Sequence, residues 1–509
     1  MNEPIFDILI VGGGVAGLSA GVFAQMGGLE THIYEKHFIP GGNLTGWDRQ
    51  GCHIDNCVHW LTGTRPGAGY FDFWKTLGAI DENTVYQPES FYTSELDGQS
   101  VTFWADIEKT RRGMLELSPA DEKEINRFIR AVKSAMKMEN ILDEEYVVKG
   151  KKLSPFAVLG YLRTGLKELG ERFSHPLLRK AFSDYIMGEY SALALIMAYA
   201  AFAGGNGGLP VGGSRAMAER IAERYESLGG TLHLGKGISG LIRKGDRVCG
   251  AILDDGTRVG CDYVIFACDP YVTYSLLGQK MPKGLTKNVA AKKLPVYSSL
   301  QCAFVADGKA PFSDNVVIES KGYDDIPDRI ILREFSHEAG FAPEGKNIIQ
   351  VLIYIHDEQC DEWIGLRAND RATYRERKAR MAAACADAIV RRYPELDGKL
   401  TLLDSWTPAT YHRYFGSHGG AWMGVLLPGR FPLVTKRNVK GVKNAFLATQ
   451  WLRAPGGLPN AVTGGDEAVK TMMKRIERDR KRPSEAIDIA RAGEYIAVAY
   501  AKRGRSTER

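Results

Sequence analysis

The clearest ordering of apolar and polar positions comes at the start of the chain. Residues 8–11 form an unbroken apolar run, the pattern of a strand buried on both faces. Leu18, Ala20, Gly21 and Ala24 then give a small-residue helix face able to sit close to a sheet, and residues 31–34 predict a second strand. Residues 70–77, 119–138 and 176–203 predict helices, with Pro119 suited to a first helical turn and Ser118 as a cap. A helix is predicted from Ser214 to the glycines at 229–230, then a strand at 231–234. Hairpin strands follow with turns at Lys244-Gly245 and Asp255-Gly256, and a buried strand at 264–268. Strands at 298–305, 315–318, 329–334 and 347–355 precede a long charged helix at about 371–393. A strand at 444–450 leads into a helix running to about residue 476, and a last helix is predicted at 484–502.

The first candidate chemistry lies between the opening strands. The stretch DILIVGGGVAGLSAGVFAQMGGLETHIYEK, residues 7–36, sets Gly12, Gly14 and Gly17 in GxGxxG spacing behind the apolar run. Gly12 permits a sharp turn out of the strand. Gly14 lets a pyrophosphate approach backbone N–H groups where Val15 and Ala16 open the helix, and Gly17 lets helix and strand pack closely. The helix N-terminus adds partial positive charge and unused donors. Glu35, followed by Lys36, ends the second strand 18 residues after Gly17. Its carboxylate suits both hydroxyls of an adenosine ribose and argues against a 2′-phosphate. Strand, glycines, helix, strand and acid arrive in the order of a dinucleotide-binding unit rather than of a turn that binds nothing. Gly41, Gly42, Asn43 and Leu44 come soon after, as backbone laid on the same cofactor or as an ordinary loop. Gly235, Gly237 and Gly240 repeat the spacing, but hairpin strands follow them instead of a helix, so no nicotinamide site is expected there.

Bulk properties narrow the classes. A chain of 509 residues is long enough for two or more domains, and a net charge of +5 gives no support for nucleic-acid binding. Its eight cysteines include no CxxC pair, which fits a reducing compartment. No basic-then-apolar leader is visible, and the apolar run 192–203 is too short to span a bilayer, so a cytoplasmic protein is expected. The basic, amphipathic stretch 146–173 suits a solvated surface helix or peripheral membrane contact. Cys52, His53, Cys57 and His59 lack the second ligand pair of a zinc site, and no metal is expected.

VGGGVAGLSA at residues 11–20, Glu35-Lys36, PGGN at 40–43 and GCHIDNCVH at 51–59 resemble the phytoene desaturase-like FAD-dependent oxidoreductases. That group includes carotenoid desaturases, carotenoid isomerases and retinol saturases, and its architecture extends to amine oxidases. The resemblance implies FAD as cofactor. It implies that Gly41 and Gly42 lie along the flavin pyrophosphate and ribityl, with Asn43 and Leu44 beside them, and that Ile238 touches the adenine. It places residues 55–59 near the isoalloxazine, which makes His59 the candidate ring-side and catalytic residue. At the other end, Thr449 and Gln450 stand where the family has Gly-Asp. Gly457, Leu458, Pro459 and Ala461 match the start of a helix under the flavin, whose N-terminus stabilises negative charge on the reduced ring. The implied fold class is α/β, with a Rossmann-type FAD-binding domain (a parallel sheet with a β-hairpin insertion) interleaved with a mixed α+β substrate domain. The expected FAD-binding segments are residues 1–75, 206–289 and 428–480, the substrate segments 76–205 and 290–427, and the tail 481–509.

With FAD carrying the chemistry, and no GxSxG, HExxH or second dinucleotide fold, hydride transfer is the simplest reaction. The expected substrate is a hydrophobic unsaturated small molecule (carotenoid, other isoprenoid, retinoid or fatty acid) that the enzyme desaturates, saturates or isomerises at carbon–carbon bonds. A flavin amine oxidase acting on a small amine and a non-catalytic flavin-binding partner protein are the alternatives. His412, Arg413 and His418 are further polar candidates or plain loop residues. The sequence does not specify an oligomeric state.

Overall fold

The computed structural model describes residues 7–137, 160–161, 163–282, 296–424, 437–453 and 456–480. The opening apolar run becomes β1 (Asp7–Val11), fully buried from Ile8 to Ile10, and the small-residue stretch becomes α1 (Val15–Met26). Glu30–Tyr34 (β2), Gly213–Ser227 (α2), Thr231–His233 (β3), Tyr263–Phe266 (β4), Ala445–Leu447 (β5) and Leu458–Arg480 (α3) complete one layer set. The five strands are all parallel, in the order β5-β4-β1-β2-β3. The chain crosses from β3 to β4 over β1, so β1 is the switch point of the sheet, the place where such sheets leave a crevice beyond their strand ends. Close packing explains Gly17: a Cβ there would sit 1.9 Å from the Gly12 carbonyl oxygen.

A seven-stranded sheet forms the second body, in the order Leu400–Trp406, Tyr297–Asp307, Lys346–His356, Arg329–Glu334, Asn315–Glu319, Ser90–Leu96, Gln99–Trp104. Alternate residues of its strands serve two cores. Ala303, Val305, Ile331 and Leu352 face helices Glu122–Met136, Pro176–Asp184 and Ala192–Ala203, while Cys302, Phe304, Leu332 and Val351 face Arg371–Arg392. A three-stranded meander, Ile238–Lys244, Arg247–Leu253 and Arg258–Gly260, follows the second glycine cluster, as its turn residues predict.

Several expectations need correction. Residues 70–205, read as helical, also supply Ser90–Leu96 and Gln99–Trp104 to the large sheet. The helix expected at 176–203 is two helices, the second capped by Ser191, whose hydroxyl accepts from Leu193 N–H at 3.3 Å. Ile107–Leu117 starts at an Asp106 cap that accepts from Glu108 and Lys109. Ser118 does not cap a long helix: it donates to Asp121, and the α-helix begins at Glu122. Helix Glu358–Asn369 and strand Leu400–Trp406 are also additional to the sequence reading. Most of stretch 146–173, and the helix expected at 484–502, lie outside the described residues; Leu166–Gly170 is a short helix within the former. Among the described residues, no helix is long and apolar enough to cross a membrane.

Candidate active site

A cavity of about 590 Å³ opens at the C-terminal edge of β1 and reaches the large sheet. Its glycine end is made of bare backbone. Gly12 leaves β1 at φ 104°, in the left-handed region that glycine alone tolerates well. Gly41 N–H donates to the Gly13 carbonyl at 2.8 Å, and a Cβ on Gly42 would come 3.3 Å from Gly14 Cα, so two glycine strands lie side by side. The first full turn of α1 closes with Leu18 N–H on the Gly14 carbonyl, which leaves the N–H groups of Val15 and Ala16 unused by the helix at the cavity wall. Glu35 is clamped beside them: its two oxygens accept from Gly13 N–H at 2.7 Å and His37 N–H at 2.8 Å.

The other helix N-terminus in the cavity comes from the far end of the chain. Gln450 Oε1 accepts from Gly457 N–H at 2.6 Å, holding the turn that opens α3. A Cβ on Gly457 would meet nothing within 4 Å, so the backbone there faces open space. The two N-termini line one cavity because α1 and α3 cross closely: Ser19 Oγ donates to the Val462 carbonyl at 2.9 Å. Uncovered glycine backbone, unused N–H groups at two helix starts and a fixed carboxylate are the donor set that a dinucleotide with an anionic diphosphate requires.

Beyond the glycines, the wall becomes aromatic. Tyr297 and Tyr354, from neighbouring strands, have ring centroids 5.1 Å apart, and Trp422 lies 5.9 Å from Tyr297. Tyr190 meets Tyr297 edge-on at 6.1 Å, and His59 lies 4.9 Å from Trp422. Burial, reinforced by the Arg333 cation, holds the His59 imidazole well below its usual protonation range, and neither ring nitrogen has a partner. Burial likewise pushes the Tyr354 phenol up to about 12. Among the described residues, the carboxylates lining the cavity are Glu35 and Asp269, which follow strands of the parallel sheet, and Asp254, in a turn of the three-stranded meander. Asp269 accepts from Tyr271 and His418 N–H groups, yet burial outweighs these bonds and raises it to about 6.

Residues 15–473 match the sequence family described as flavin containing amine oxidoreductase. The chain belongs to this family. It is an FAD-dependent oxidoreductase, and the residues around the cavity fit that cofactor. This flavin oxidoreductase is 22% identical to 4,4'-diaponeurosporene oxygenase of Staphylococcus aureus (strain Mu50 / ATCC 700699), over 93% of its own length and 99% of the relative's. An oxidoreductase from Methanosarcina mazei shares its fold at a TM-score of 0.60 and 14% identity, covering 91% of this chain and all (100%) of the other. Putrescine oxidase bound to putrescine superposes at a TM-score of 0.55 and 15% identity, covering 92% and 99%.

The site residues expected from the sequence largely converge. Gly12, Gly14, Val15, Ala16, Glu35, Lys36, Gly41, Gly42, Asn43, His59, Ile238, Thr449, Gln450, Gly457, Leu458, Pro459 and Ala461 of this flavin oxidoreductase all line the one cavity. Gly17 and Leu44 stand outside its wall. Gly17 is packed under β1, and Leu44, 1% exposed, belongs to the core beneath the parallel sheet. Asp55 also turns away, to accept from Ser214 at the start of α2. His412 and His418 are held by Ser417 and by stacking on Tyr271, and neither they nor Arg413 line the cavity. His53 pairs with Asp48 at 2.8 Å. Sequence reasoning missed the aromatic wall, Arg333, and the hub at Asn56, whose Oδ1 accepts from Trp406 and Tyr411 while its carbonyl accepts from Trp422. No local motif marks these residues. Their only signal is Tyr297 and Tyr354 at the ends of strands otherwise rich in aliphatic residues.

Proposed function

We propose that this enzyme oxidises, reduces or isomerises carbon–carbon bonds of a hydrophobic unsaturated substrate, of the carotenoid, isoprenoid, retinoid or fatty-acid kind. The observation that carries the reading is the distribution of lining residues. The cavity wall beyond the glycines is built from Trp60, Ile186, Tyr190, Tyr297, Tyr354 and Trp422, while its carboxylates Glu35, Asp269 and Asp254 follow parallel strands or sit in the meander turn. Such a wall gains from burying an apolar chain and offers a protonated amine no counter-charge. The diaponeurosporene oxygenase relative, by its name, acts on a carotenoid-type compound, which agrees.

In this reading the N–H groups of residues 14–16 hold the cofactor's diphosphate. Glu35 takes the adenosine ribose, and Lys36 and Ile238 flank the adenine. Gly41, Gly42 and Asn43 follow the linking chain, and Thr449, Gln450, Gly457, Leu458, Pro459 and Ala461 receive the ring end. When bound, FAD supplies hydride acceptance or donation. The chain's own part is placement and field: the α3 N-terminus favours negative charge beside it, Trp422 and His59 bound the reacting space, and neutral His59 is the ring-side polar group. Among the described residues no helix is long and apolar enough to cross a membrane, and we infer that the substrate enters from solution or from a membrane surface.

Anaerobic incubation of the protein carrying oxidised FAD, and in parallel of the protein with its FAD reduced by dithionite, with carotenoids, retinoids and unsaturated fatty acids, followed by mass and geometry analysis, tests the reading. A changed number or geometry of double bonds is expected. No change across all three classes, with peroxide released from small amines in a parallel incubation under air, would transfer the assignment to an amine oxidase.

A further inference from the structure

Among the described residues, several partly buried arginines have an acid. Arg329 binds Asp184 through Nε at 2.7 Å and Nη2 at 2.5 Å, and Arg247 pairs with Asp479. Arg333, four residues along the same strand as Arg329, is 4% exposed and has none. Its Nη2 donates to the Val58 carbonyl at 2.7 Å, its guanidinium lies 5.0 Å from the Phe335 ring centroid, and its Nε and Nη1 have no partner. An unpaired buried cation is costly, and native structures rarely keep one without a use.

Its position points to the use. Val58 belongs to the cavity wall, as do Cys57 and His59 on either side. The charge of Arg333 is felt at Cys57, His59, Tyr185 and Tyr354, so it acts across the aromatic end of the cavity. The polar hydrogens left without acceptors nearby include two phenols, Tyr185 and Tyr190, as well as the guanidinium. Asp55 is felt at Cys57 and Asp314 at Tyr185 as well, but among the described residues no carboxylate pairs with Arg333, and this end of the site is rich in donors.

We propose that Arg333 is a specificity-determining residue, a buried unpaired cation behind residues 57–59 that makes the cavity select a carboxylate-headed substrate over the same chain carrying an alcohol or an ammonium. This deepens the function proposed above and rests on its reading of the aromatic end as the substrate site. Arg333 acts through the wall by its field, so it is a selectivity and positioning residue and not a catalytic one.

The test is a matched series on FAD-loaded protein: linoleate, linoleyl alcohol and linoleylamine, with dissociation constants read from the change in flavin absorbance. The acid should bind tightest and the amine weakest, with steps of about tenfold. Arg333→Gln should compress the series to within about threefold, while Arg333→Lys should keep the order. Flavin content and melting temperature show whether each variant folds, and the order in the unaltered protein stands as a test without them. A flat or reversed order there, or an order unchanged by Arg333→Gln, overturns the proposal. Butyrate, butanol and butylamine separate the two claims. If the long chains bind equally well, Arg333 loses its role and the hydrophobic reading stands. If only the short series binds, acid first, the hydrophobic reading falls and Arg333 keeps its role. Failure of both carboxylates to bind overturns the proposal.

Discussion

Gly465 lies directly on Ser19: a Cβ at position 465 would come 2.5 Å from Ser19 Oγ and 2.7 Å from Ala20 N. Ser19 and its acceptor Val462 are 443 residues apart in sequence, and their bond fixes the crossing that brings the starts of α1 and α3 to one cavity. The second obstacle is backbone, which cannot swing aside as a side chain can. Gly465→Val is therefore expected to destabilise the protein by about 1–3 kcal/mol and to lower its FAD content together with it. Calorimetry and flavin absorbance check this, and an unchanged melting temperature would mean the helices are not in such close contact.

Glu35 offers a test of the glycine end alone. Its removal strands the Gly13 and His37 N–H groups, at a cost of about 1–3 kcal/mol. Glu35→Ala should weaken FAD binding about tenfold or more while circular dichroism stays the same. Glu30→Ala, on the half-exposed neighbour in β2, should leave FAD binding as it was.

Asp269 should impose a pH dependence on stability. Burial raises it from 3.8 to about 6, so the folded protein holds a proton that the unfolded chain releases. Its contribution is fully present below pH 3.8 and is lost as the pH rises through about 6. Asp262 is raised to about 6 as well, again mainly by burial, and adds in the same direction. Between these limits Asp269→Asn should lose less stability with rising pH than the unaltered protein. Parallel curves from thermal melts would contradict the assignment.

His59 should stay neutral throughout the range in which an ordinary histidine titrates, because burial and the Arg333 charge both oppose protonation. Nitrogen-15 spectra of labelled protein should show a neutral imidazole at pH 6.5, where an ordinary histidine is half protonated. An imidazolium signal near pH 6.5 would show the ring to be solvated or paired with an acid, and His59 would no longer be a buried ring-side group.

Much of the parallel sheet and its cofactor cradle was legible in the sequence because local rules govern it. The apolar run 8–11, the glycines at 12, 14 and 17 and the acid at 35 each answer a local demand of turn, approach or hydrogen bond. The Gln450–Gly457 bond shows why the departure from Gly-Asp still supports a turn: an amide oxygen fills the acceptor role. The large sheet was only partly legible. Ser90–Leu96 pairs with Gln99–Trp104 across the Asp97-Gly98 turn, a local hairpin signal that the sequence reading passed over, and with Asn315–Glu319 more than 200 residues later, a partner that no neighbouring pattern reveals. The aromatic wall was less legible still. Tyr297, Tyr354 and Trp422 read as ordinary core residues until the folded sheet places them together, and Arg333 reads as a surface charge until its burial is known.

Hydrogen exchange of the apo protein before and after FAD loading tests the central claim most directly, that one cofactor spans the starts of α1 and α3. Peptides covering residues 12–17 and 456–461 should both slow on loading, in proportion to bound flavin. Slowing at one end with no change at the other would contradict a single FAD held between them.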